Sequence, residues 1–511
     1  MGTVELMKMH LNHLSFEMMK SMPSIRKTGI ICTIGPASRD VEKLKELMES
    51  GMNIARMNFS HGTHEYHAET MENVRKAAKS FDHPKMIAIA LDTKGPEIRT
   101  GLLAEGPSAE VELSRGASIR LSTDCQFESS GTAICLYVDY NHITKVVSVG
   151  SKIYIDDGLI SLIVEQIFED GLQCRVENGG MLGSRKGVNL PGAKVDLPAV
   201  SDKDIADLKF GVEQGVDFIF ASFIRNAEGI RTIRKVLGEN GQHIKIIAKI
   251  ENQEGVRNAG EIIAEADGVM VARGDLGIEI PLEETCLVQK QLITMCNDAG
   301  KPVICATQML ESMVHNPRPT RAEIADVTNA VLDGADCVML SGETAKGDYP
   351  VEAVKTIHSI CKATENSDNY KEFFQKLIQS NRMPEDSAHV IAIAAASTAV
   401  VCKASAILLI TYTGQAAALC SQYKAPVPII AVSRNEQTAR QLHLYHGIFP
   451  VHYNIEEEHP DWHIDVEDRI KHGIDVGKER GFIQTGDFLI VVSGWRKGAG
   501  HTNNLQVVNV P

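Results

Sequence analysis

Residues 245–255 have the sequence KIIAKIENQEG, which joins a strand-like apolar run to two charged side chains. Ile246, Ile247 and Ala248 predict a buried β-strand, and Lys249 and Glu251 follow on one face of that strand. An uncompensated charge in an apolar interior costs several kcal/mol or becomes neutral. The segment therefore predicts either a structural ion pair or a polar site at the carboxyl end of a strand.

Seven similar apolar runs occur along the chain, and polar, amphipathic helical stretches such as VEKLKELMES alternate with them. They are GIICTIG (29–35), NIARMNF (53–59), KMIAIALD (85–92), DFIFASF (217–223), GVMVAR (268–273), PVICAT (302–307) and DCVMLS (336–341). Near-continuous apolar strands that alternate with helices indicate a parallel sheet covered on both faces. Eight such units predict an α/β fold, a closed (β/α)₈ TIM barrel.

The long gap between the third and fourth runs has short alternating β segments and many glycines, which predicts a small β-barrel domain inserted into a barrel loop. After about residue 365, strand–turn–helix units such as AILLITYTGQAAALCSQYK predict a smaller α/β domain. We therefore divide the chain into an N-terminal segment (1–24), a barrel (25–95 and 197–364), an inserted lid (96–196) and a C-terminal regulatory domain (365–511).

Composition limits the class of protein. The 511 residues are 43% hydrophobic and 23% charged, as expected of a globular protein with several domains. The net charge of −14 argues against nucleic acid or an anionic membrane as the main partner. Eleven cysteines without CxxC pairs, no signal-peptide core and no apolar run of about 20 residues predict a cytoplasmic protein with reduced thiols.

In a barrel of this kind, catalytic groups lie at the carboxyl ends of the strands. Polar side chains or glycines follow nearly every apolar run. In chain order they are Gly35, Arg56, Asn58, Ser60, His61, Asp92, Thr93, Lys94, Lys249, Glu251, Arg273, Gly274, Asp275, Thr307, Ser341 and Glu343. Their convergence on one rim argues more strongly for a site than any single motif does.

The chemistry of these side chains favours phosphoryl transfer. Glu251 and Asp275 form a carboxylate pair suited to Mg²⁺ or Mn²⁺, and no HExxH motif or zinc-like Cys/His spacing is present. Lys249, Arg56 and Arg99 supply positive charge for phosphate or carboxylate groups. The oxygens of Asn58, Ser60, Asp92 and Thr93 can surround a hard cation of low charge. Phosphoryl transfer needs such positioning and charge stabilisation, and the sequence has neither a P-loop nor the protein-kinase motifs.

A barrel lysine could instead form a Schiff base, as in an aldolase. That chemistry needs a lysine with a lowered pKa. Glu251, two residues along the same strand face, favours the protonated ammonium of Lys249 and so argues for an electrostatic role.

Several long segments resemble the signature segments of the pyruvate kinase family, and they occur in the same order. They are RMNFSHG (56–62), LDTKGPEIRTG (91–101), IDDGLI (155–160), KIENQEG (249–255), MVARGDLG (270–277), ATQMLESM (306–313), NPRPTRAE (316–323) and MLSGETAKGDYP (339–350). The resemblance extends from about residue 25 to the end of the chain. It implies transfer of the phosphoryl group of phosphoenolpyruvate to ADP, followed by protonation of the enolate to pyruvate.

The resemblance also implies roles for individual residues. Lys249 would stabilise the transferring phosphoryl group, Glu251 and Asp275 would hold Mg²⁺, and Arg56, Gly274, Asp275 and Thr307 would contact phosphoenolpyruvate. Asn58, Ser60, Asp92 and Thr93 would bind K⁺, and Asn58, His61, Arg99 and Lys186 would bind the nucleotide. Thr307 and Ser341 are alternative members of the proton relay to the enolate. In this family a glutamate at the position of Glu97 accompanies a K⁺ requirement.

The effector region departs from the family pattern. In members activated by fructose 1,6-bisphosphate, the effector loop resembles a Thr-Lys-Ser-Gly-Arg-Ser run, whereas residues 411–416 here are TYTGQA. Ala499 also stands where a serine is common. Thr411, Thr413, Gly414, Trp462 and Arg469 remain as candidate sugar-phosphate contacts. Since hydrogen bonds to charged groups contribute about 1.5–3 kcal/mol each, we expect weak or absent activation by this bisphosphate.

Two other functions fit part of the sequence. A Mg²⁺-dependent lyase or aldolase would share the carboxylate pair but has no use for the K⁺ ligands, Arg99 or Lys186. A catalytically silent binding protein would not need the complete set of rim residues. The resemblance also implies a homotetramer.

Overall fold

The computed structural model describes residues 25–367, 386–455 and 459–511. The predicted N-terminal segment 1–24 lies outside the described residues. Within these ranges no helix combines the length and the apolar character needed to cross a membrane.

The eight apolar runs form the predicted closed barrel, in which every neighbouring pair of strands is parallel. Numbered along the whole chain, its strands are β1 (Gly29–Thr33), β2 (Ile54–Asn58), β3 (Ala88–Asp92), β13 (Phe218–Ala221), β14 (Lys245–Ile250), β15 (Gly268–Ala272), β16 (Val303–Ala306) and β17 (Cys337–Leu340). The fold-class prediction of a TIM barrel is confirmed.

Helices alternate with these strands and cover the barrel. They are α1 (Val41–Ser50), α2 (His64–Lys79), α4 (Asp202–Glu213), α5 (Ala227–Leu237), α6 (Gln253–Arg257), α7 (Ala259–Glu265), α8 (Arg273–Glu279), α9 (Thr285–Asp298), α10 (Arg321–Asp333), α11 (Gly342–Ala345) and α12 (Pro350–Ser367). The sequence signals their starts, because Ser201 and Thr320 each form a capping box with the third residue of the helix that follows. Helix α12 extends through the predicted boundary at residue 364.

The period of two along each strand explains how the core leads into the site. Ile247 packs in the interior of the barrel with Phe218, Phe220 and Ile31, whereas Ile246 and Ala248 pack outward. Lys249 follows Ile247 by two residues, so it shares the interior face. The interior row that is apolar along the strand therefore becomes charged at its carboxyl end.

The inserted domain is built of β-strands, as predicted. They are β4 (Ile98–Arg99), β5 (Glu110–Leu113), β6 (Ser118–Ser122), β7 (Cys135–Tyr137), β8 (Lys152–Ile155), β9 (Ile160–Phe168), β10 (Gly171–Asn178), β11 (Gly180–Gly183) and β12 (Gly187–Asn189), with helix α3 (Ile143–Val146). Seven strands pair in the order β4-β12-β8-β9-β10-β6-β7, and β11 pairs with β5. A bridge between Thr100 and Val138 joins the two ends of the seven-stranded sheet, as a small barrel requires.

The C-terminal domain is an α/β layer around a five-stranded sheet of order β20-β19-β18-β21-β22. Its strands are β18 (Ala406–Ile410), β19 (Ile429–Ser433), β20 (Ile448–His452), β21 (Phe488–Gly494) and β22 (Thr502–Asn509), and its helices are α13 (Ser387–Val401), α14 (Gln415–Gln422), α15 (Glu436–Gln441) and α16 (Trp462–Glu479). Only the last strand pair is antiparallel. Leu444 of this domain is buried with the interior residues of the barrel, so the two domains share part of their core.

Candidate active site

Lys249 is the centre of the charged rim. Its Nζ lies 3.1 Å from Asp92 Oδ1, 3.0 Å from Glu251 Oε1 and 2.8 Å from Ser222 Oγ. Burial alone would lower the pKa of this ammonium, but the carboxylates of Asp92 and Glu251 outweigh it and raise the pKa. Lys249 is therefore held as a cation between two carboxylates, which argues against the low-pKa amine that Schiff-base chemistry needs.

Arg56 supplies a second buried cation on a neighbouring strand. Its Nε donates to Asp92 Oδ2 at 2.7 Å, and its Nη1 donates to Thr33 Oγ1 at 2.9 Å. Asp92 is fully buried, and although burial opposes its charge, Arg56 and Lys249 lower its pKa. The ionised carboxylate thus holds both cations in place.

Glu251 and Asp275 form the predicted carboxylate pair. Glu251 is buried, and its Oε2 accepts a hydrogen bond of 2.6 Å from the backbone N–H of Phe223. Asp275 is half-buried, and burial together with the negative charge of Glu251 raises its pKa to about 7. Two carboxylates that repel each other in this way favour the binding of a hard cation.

This pair would leave most coordination positions of Mg²⁺ to water and substrate. In the described residues no three or more His, Cys, Asp and Glu side chains cluster as a metal site. Mg²⁺ is commonly held by one or two carboxylates and retains several waters. The donor set therefore fits Mg²⁺ rather than zinc.

The predicted K⁺ ligands lie where β2 and β3 end side by side, because Asn58 pairs in register with Asp92. Asn58 Oδ1 accepts from the backbone N–H of Ser60 at 3.1 Å, and Thr93 Oγ1 accepts from the backbone N–H of Ser222 at 3.0 Å. Both oxygens of Asp92 already accept from Lys249 or Arg56, so its charge is shared. The four residues are close together and supply only oxygen ligands.

Thr307 and Gly274 are joined directly. The backbone N–H of Gly274 donates to Thr307 Oγ1 at 2.7 Å. Thr307 has a φ of +68°, a conformation that a β-branched residue rarely adopts. Arg273 holds it there through a 2.6 Å hydrogen bond to its carbonyl oxygen, and strain of this kind is common at functional sites.

Ser341 lies on the same rim but shares fewer hydrogen bonds with the other candidate residues in the described part of the chain. Its backbone N–H donates to Glu343 Oε2 at 2.7 Å, and the other oxygen of this buried carboxylate accepts from the N–H of Leu310. Glu343 therefore shapes the backbone of the rim. Within the described part of the chain, no hydrogen bond connects the Ser341 side chain to Lys249 or Thr307.

The nucleotide candidates line a cleft of about 620 Å³ between the rim and the inserted domain. His61 is exposed at its edge, Arg99 Nε donates to Glu97 Oε2 at 2.7 Å, and Lys186 Nζ lies 3.0 Å from Asp156 Oδ1. Asn58, Ser60 and Asp275 line the same cleft, whereas Lys249, Arg56, Thr307 and Ser341 are not part of its lining.

Sequence comparison agrees with this geometry. A family model described as "Pyruvate kinase, barrel domain" matches residues 25–354, and one described as "Pyruvate kinase, alpha/beta domain" matches residues 389–508. The chain is 55% identical over 505 residues to the pyruvate kinase PKLR of Homo sapiens, covering 98% of this chain and 88% of that one. It is 50% identical over 488 residues to the pyruvate kinase of Agaricus bisporus (95% and 91% covered) and 48% identical over 501 residues to that of Candida albicans (98% and 99% covered).

This chain belongs to the pyruvate kinase family. It is a phosphotransferase, and the resemblance found in its signature segments is confirmed over nearly its whole length. The barrel therefore carries a rim on which Lys249 contacts both Glu251 and Asp92, and Asp92 in turn contacts Arg56.

In this pyruvate kinase family member, the sequence prediction included the fourth barrel strand but not the polar residue at its carboxyl end. Ser222 follows β13, accepts from Lys249 and donates to the carbonyl oxygen of Thr93 at 2.6 Å. The next residue, Phe223, has a φ of +53° and turns its N–H toward Glu251. The rule used for the other strands would have identified Ser222, because it follows an equally apolar run.

A second group of residues that the sequence prediction did not include contacts the loop after β2 and the helix that follows it. Lys203 Nζ donates to the carbonyl oxygen of Phe59 at 2.9 Å and lies 2.6 Å from Asp207 Oδ2. His64 Nε2 lies 2.7 Å from the other oxygen of Asp207, and His67 Nε2 lies 2.8 Å from the carbonyl oxygen of His61. Nothing in the local sequence indicates the contacts of Lys203 and Asp207, which connect helix α4 to the loop after β2 and to helix α2, more than a hundred residues earlier.

The C-terminal candidates surround a smaller cavity of about 130 Å³. Thr411, Thr413, Trp462 and Arg469 line it, whereas Gly414 does not and instead donates its N–H to Thr411 Oγ1 at 3.0 Å. Arg469 is buried in an ion pair with Asp465, and its guanidinium lies 5.0 Å from the centre of the Trp462 ring. Its positive charge is therefore already compensated.

Proposed function

We propose that this chain transfers the phosphoryl group of phosphoenolpyruvate to ADP, which gives ATP and pyruvate in the last step of glycolysis. The observation that carries the proposal is the buried ammonium of Lys249, hydrogen-bonded to Asp92 and Ser222 and paired with Glu251 beside a wide cleft. A preorganised cation of this kind stabilises charge that develops on a transferring phosphoryl group and on an enolate oxygen.

We further propose that Glu251 and Asp275 hold Mg²⁺ or Mn²⁺. A divalent cation bound there would neutralise negative charge on the substrate oxygens. The raised pKa of Asp275 supports the assignment, since a bound cation would relieve its repulsion with Glu251.

The substrate would lie between Lys249 and the strained loop after β16. Arg56 would contact its phosphate, and the backbone of Gly274 and Asp275 with Thr307 would hold its carboxylate. Thr307 Oγ1 donates to the carbonyl oxygen of Ala306 at 2.6 Å and accepts from Gly274, so its orientation is fixed before substrate binds. Thr307 and Ser341 remain alternative members of the relay that protonates the enolate.

The nucleotide would occupy the cleft beneath the inserted domain, with its phosphates near Asn58, His61, Arg99 and Lys186. Arg99 and Lys186 pair with Glu97 and Asp156 in this structure, so ADP phosphates would compete with these carboxylates. Both cations are about one-third exposed and can rotate toward a ligand.

K⁺ would bind at Asn58, Ser60, Asp92 and Thr93, and Glu97 leads us to expect that activity requires it. The test is the rate in Na⁺ buffer free of K⁺, compared with the rate after K⁺ is added back. Undiminished activity without K⁺ would refute the requirement.

The decisive experiment is ADP-dependent formation of pyruvate from phosphoenolpyruvate, with Mg²⁺ and K⁺ each omitted in turn. We expect turnover only when ADP and a divalent cation are present. Turnover without ADP would favour a lyase, and no turnover under any condition would favour a silent binding protein.

The remaining expectations concern organisation. We propose a catalytic barrel (25–95 and 197–364), a lid (96–196) and a regulatory domain (365–511) that responds weakly or not at all to fructose 1,6-bisphosphate. We also propose a cytoplasmic homotetramer without nucleic-acid or membrane partners. Size-exclusion chromatography with light scattering tests the assembly.

A further inference from the structure

In the part of the chain that the structure describes, one side-chain hydrogen bond spans the cleft between the inserted domain and the barrel. Asn189 Nδ2, at the end of β12, donates to Glu279 Oε1, at the end of α8, at 3.1 Å. Among the described residues, the other hydrogen bonds that tie this domain to the barrel lie at its two chain connections. Arg225 donates to the carbonyl oxygens of Val195 and Leu197 at one connection, and Glu97 donates its backbone N–H to the carbonyl oxygen of Gly95 at the other.

Asn189 lies near the proposed nucleotide-binding cations, and Glu279 lies near the proposed metal ligand Asp275. Lys186 immediately precedes β12, and its carbonyl oxygen accepts from the N–H of Thr100, next to Arg99 on the adjacent strand. Glu279 ends the seven-residue helix α8, and Asp275 lies one helical turn before it. A single bond thus connects the strand that carries the nucleotide cations with the helix that carries a metal ligand.

Glu279 has no role in the chemistry proposed above. It is half-buried in the cleft, where burial raises its pKa and the Asn189 hydrogen bond partly offsets that effect. Burying a carboxylate that has no cation partner among the described residues destabilises the folded protein. We therefore expect the contact with Asn189 to serve a function other than stability.

We propose that Asn189 and Glu279 are positioning residues that set the distance between the lid and the metal-binding helix, and so place Lys186 and Arg99 over the nucleotide. The inference rests on the proposed function only for the identity of the nucleotide. The restraint on the lid follows from the geometry alone.

The first test is a double-mutant cycle of Asn189→Ala and Glu279→Ala. Each single variant should raise the KM for ADP about tenfold, the change that corresponds to about 1.4 kcal/mol, with a much smaller change in the KM for phosphoenolpyruvate. The double variant should be no worse than either single variant, because one bond is lost in all three. Additive effects, or equal changes in both KM values, would overturn the proposal.

The second test does not require activity. Hydrogen exchange of the unliganded protein should be faster at residues 193–197 in both single variants, because the lid loses its restraint. Asn178→Ala is the matched control, since Asn178 donates at 2.8 Å to the carbonyl oxygen of Leu159 within the lid itself. It should leave exchange at 193–197 unchanged, and the same exchange in all variants and wild type would overturn the inference even in an inactive protein.

Glu279→Gln separates the hydrogen bond from the charge. The amide oxygen of glutamine can still accept from Asn189, so this variant should keep the ADP KM within about twofold of wild type and should retain slow exchange. It also guards against misfolding of the alanine variants. If Glu279→Gln has the same ADP KM and the same hydrogen exchange as Glu279→Ala, the hydrogen bond between Asn189 and Glu279 does not position the lid.

Discussion

The barrel rim and the C-terminal cavity each contain a buried basic side chain that is paired with a carboxylate, yet they differ in how the charges are shared. On the rim, two cations, Lys249 and Arg56, face three carboxylates, Asp92, Glu251 and Asp275. Around Asp465, two arginines, Arg434 and Arg469, share one carboxylate. The rim can therefore accept a further cation, whereas Asp465 already compensates the arginine that lines the C-terminal cavity.

The largest effect should come from Lys249→Met. We expect kcat to fall about 1,000-fold, as when a preorganised charge donor is removed from an active site. The metal-free protein should also lose stability, because Glu251 and Asp92 keep their buried charge with less compensation. Steady-state kinetics and thermal unfolding measure both effects.

The control for this variant is Lys245→Met on the same strand. Lys245 lies 3.5 Å from Asp267, at the opposite end of β14 from the rim, so its loss should leave kcat nearly unchanged. A kcat of Lys249→Met within tenfold of wild type would show that the rim is a structural ion pair.

Asp275→Asn should have the next largest effect. Removing one carboxylate of the pair should raise the Mg²⁺ concentration for half-maximal activity at least tenfold, as expected for a metal-site residue. Unlike Lys249→Met, it should leave the metal-free protein as stable as wild type or more stable, because the repulsion with Glu251 disappears. Asp298→Asn, at the exposed end of α9, is the control, and an unchanged Mg²⁺ requirement would contradict the assignment.

The pKa of Asp275 also predicts a pH dependence. Because this pKa is about 7 in the folded protein against an ordinary 3.8, the wild-type Mg²⁺ requirement should rise as the pH falls below 7. In the metal-free protein, the unfolded chain releases this proton near pH 4 and the folded protein only near pH 7. The free energy of unfolding should therefore decrease as the pH rises from about 4 to about 7. Asp275→Asn should remove that decrease.

A smaller effect is expected from a change at Lys203, on helix α4 beside the loop after β2. Lys203→Met removes the hydrogen bond to the carbonyl oxygen of Phe59 and the ion pair with Asp207, and so loosens the loop that carries Asn58, Ser60 and His61. Since one such bond contributes about 0.5–1.5 kcal/mol, the K⁺ or ADP concentration for half-maximal rate should rise about two- to tenfold, with kcat retained at saturation. Lys209→Met, exposed on the same helix, should leave both unchanged.

The smallest effect concerns the C-terminal cavity. Fructose 1,6-bisphosphate should change the apparent KM for phosphoenolpyruvate less than about twofold, because charged hydrogen bonds worth about 1.5–3 kcal/mol each are missing. Tyr412→Lys combined with Gln415→Arg should create a response if the difference between the two regions lies in available cations. Activation of the wild type at micromolar concentration would contradict this reasoning.

The strand-end rule shows how far a sequence can predict a site. It identified Lys249, Glu251, Asp92 and Thr307, because each follows an apolar run whose direction the parallel barrel fixes. It did not reveal that Ser222 bonds to Lys249, although the same rule applies to β13. It could not reveal Lys203 beneath Phe59, since that contact depends on how helix α4 packs.

The sequence by itself determined the barrel, the inserted β domain, the C-terminal α/β domain and the rim on which the charged residues meet. Hydrophobic periodicity and strand direction are local properties, so they can be read from neighbouring residues. Only the tertiary structure decided which charges compensate one another, that Arg469 is held by Asp465, and that Asn189 reaches Glu279 across the cleft. Those contacts join residues on different elements, and their distances depend on how whole domains pack together.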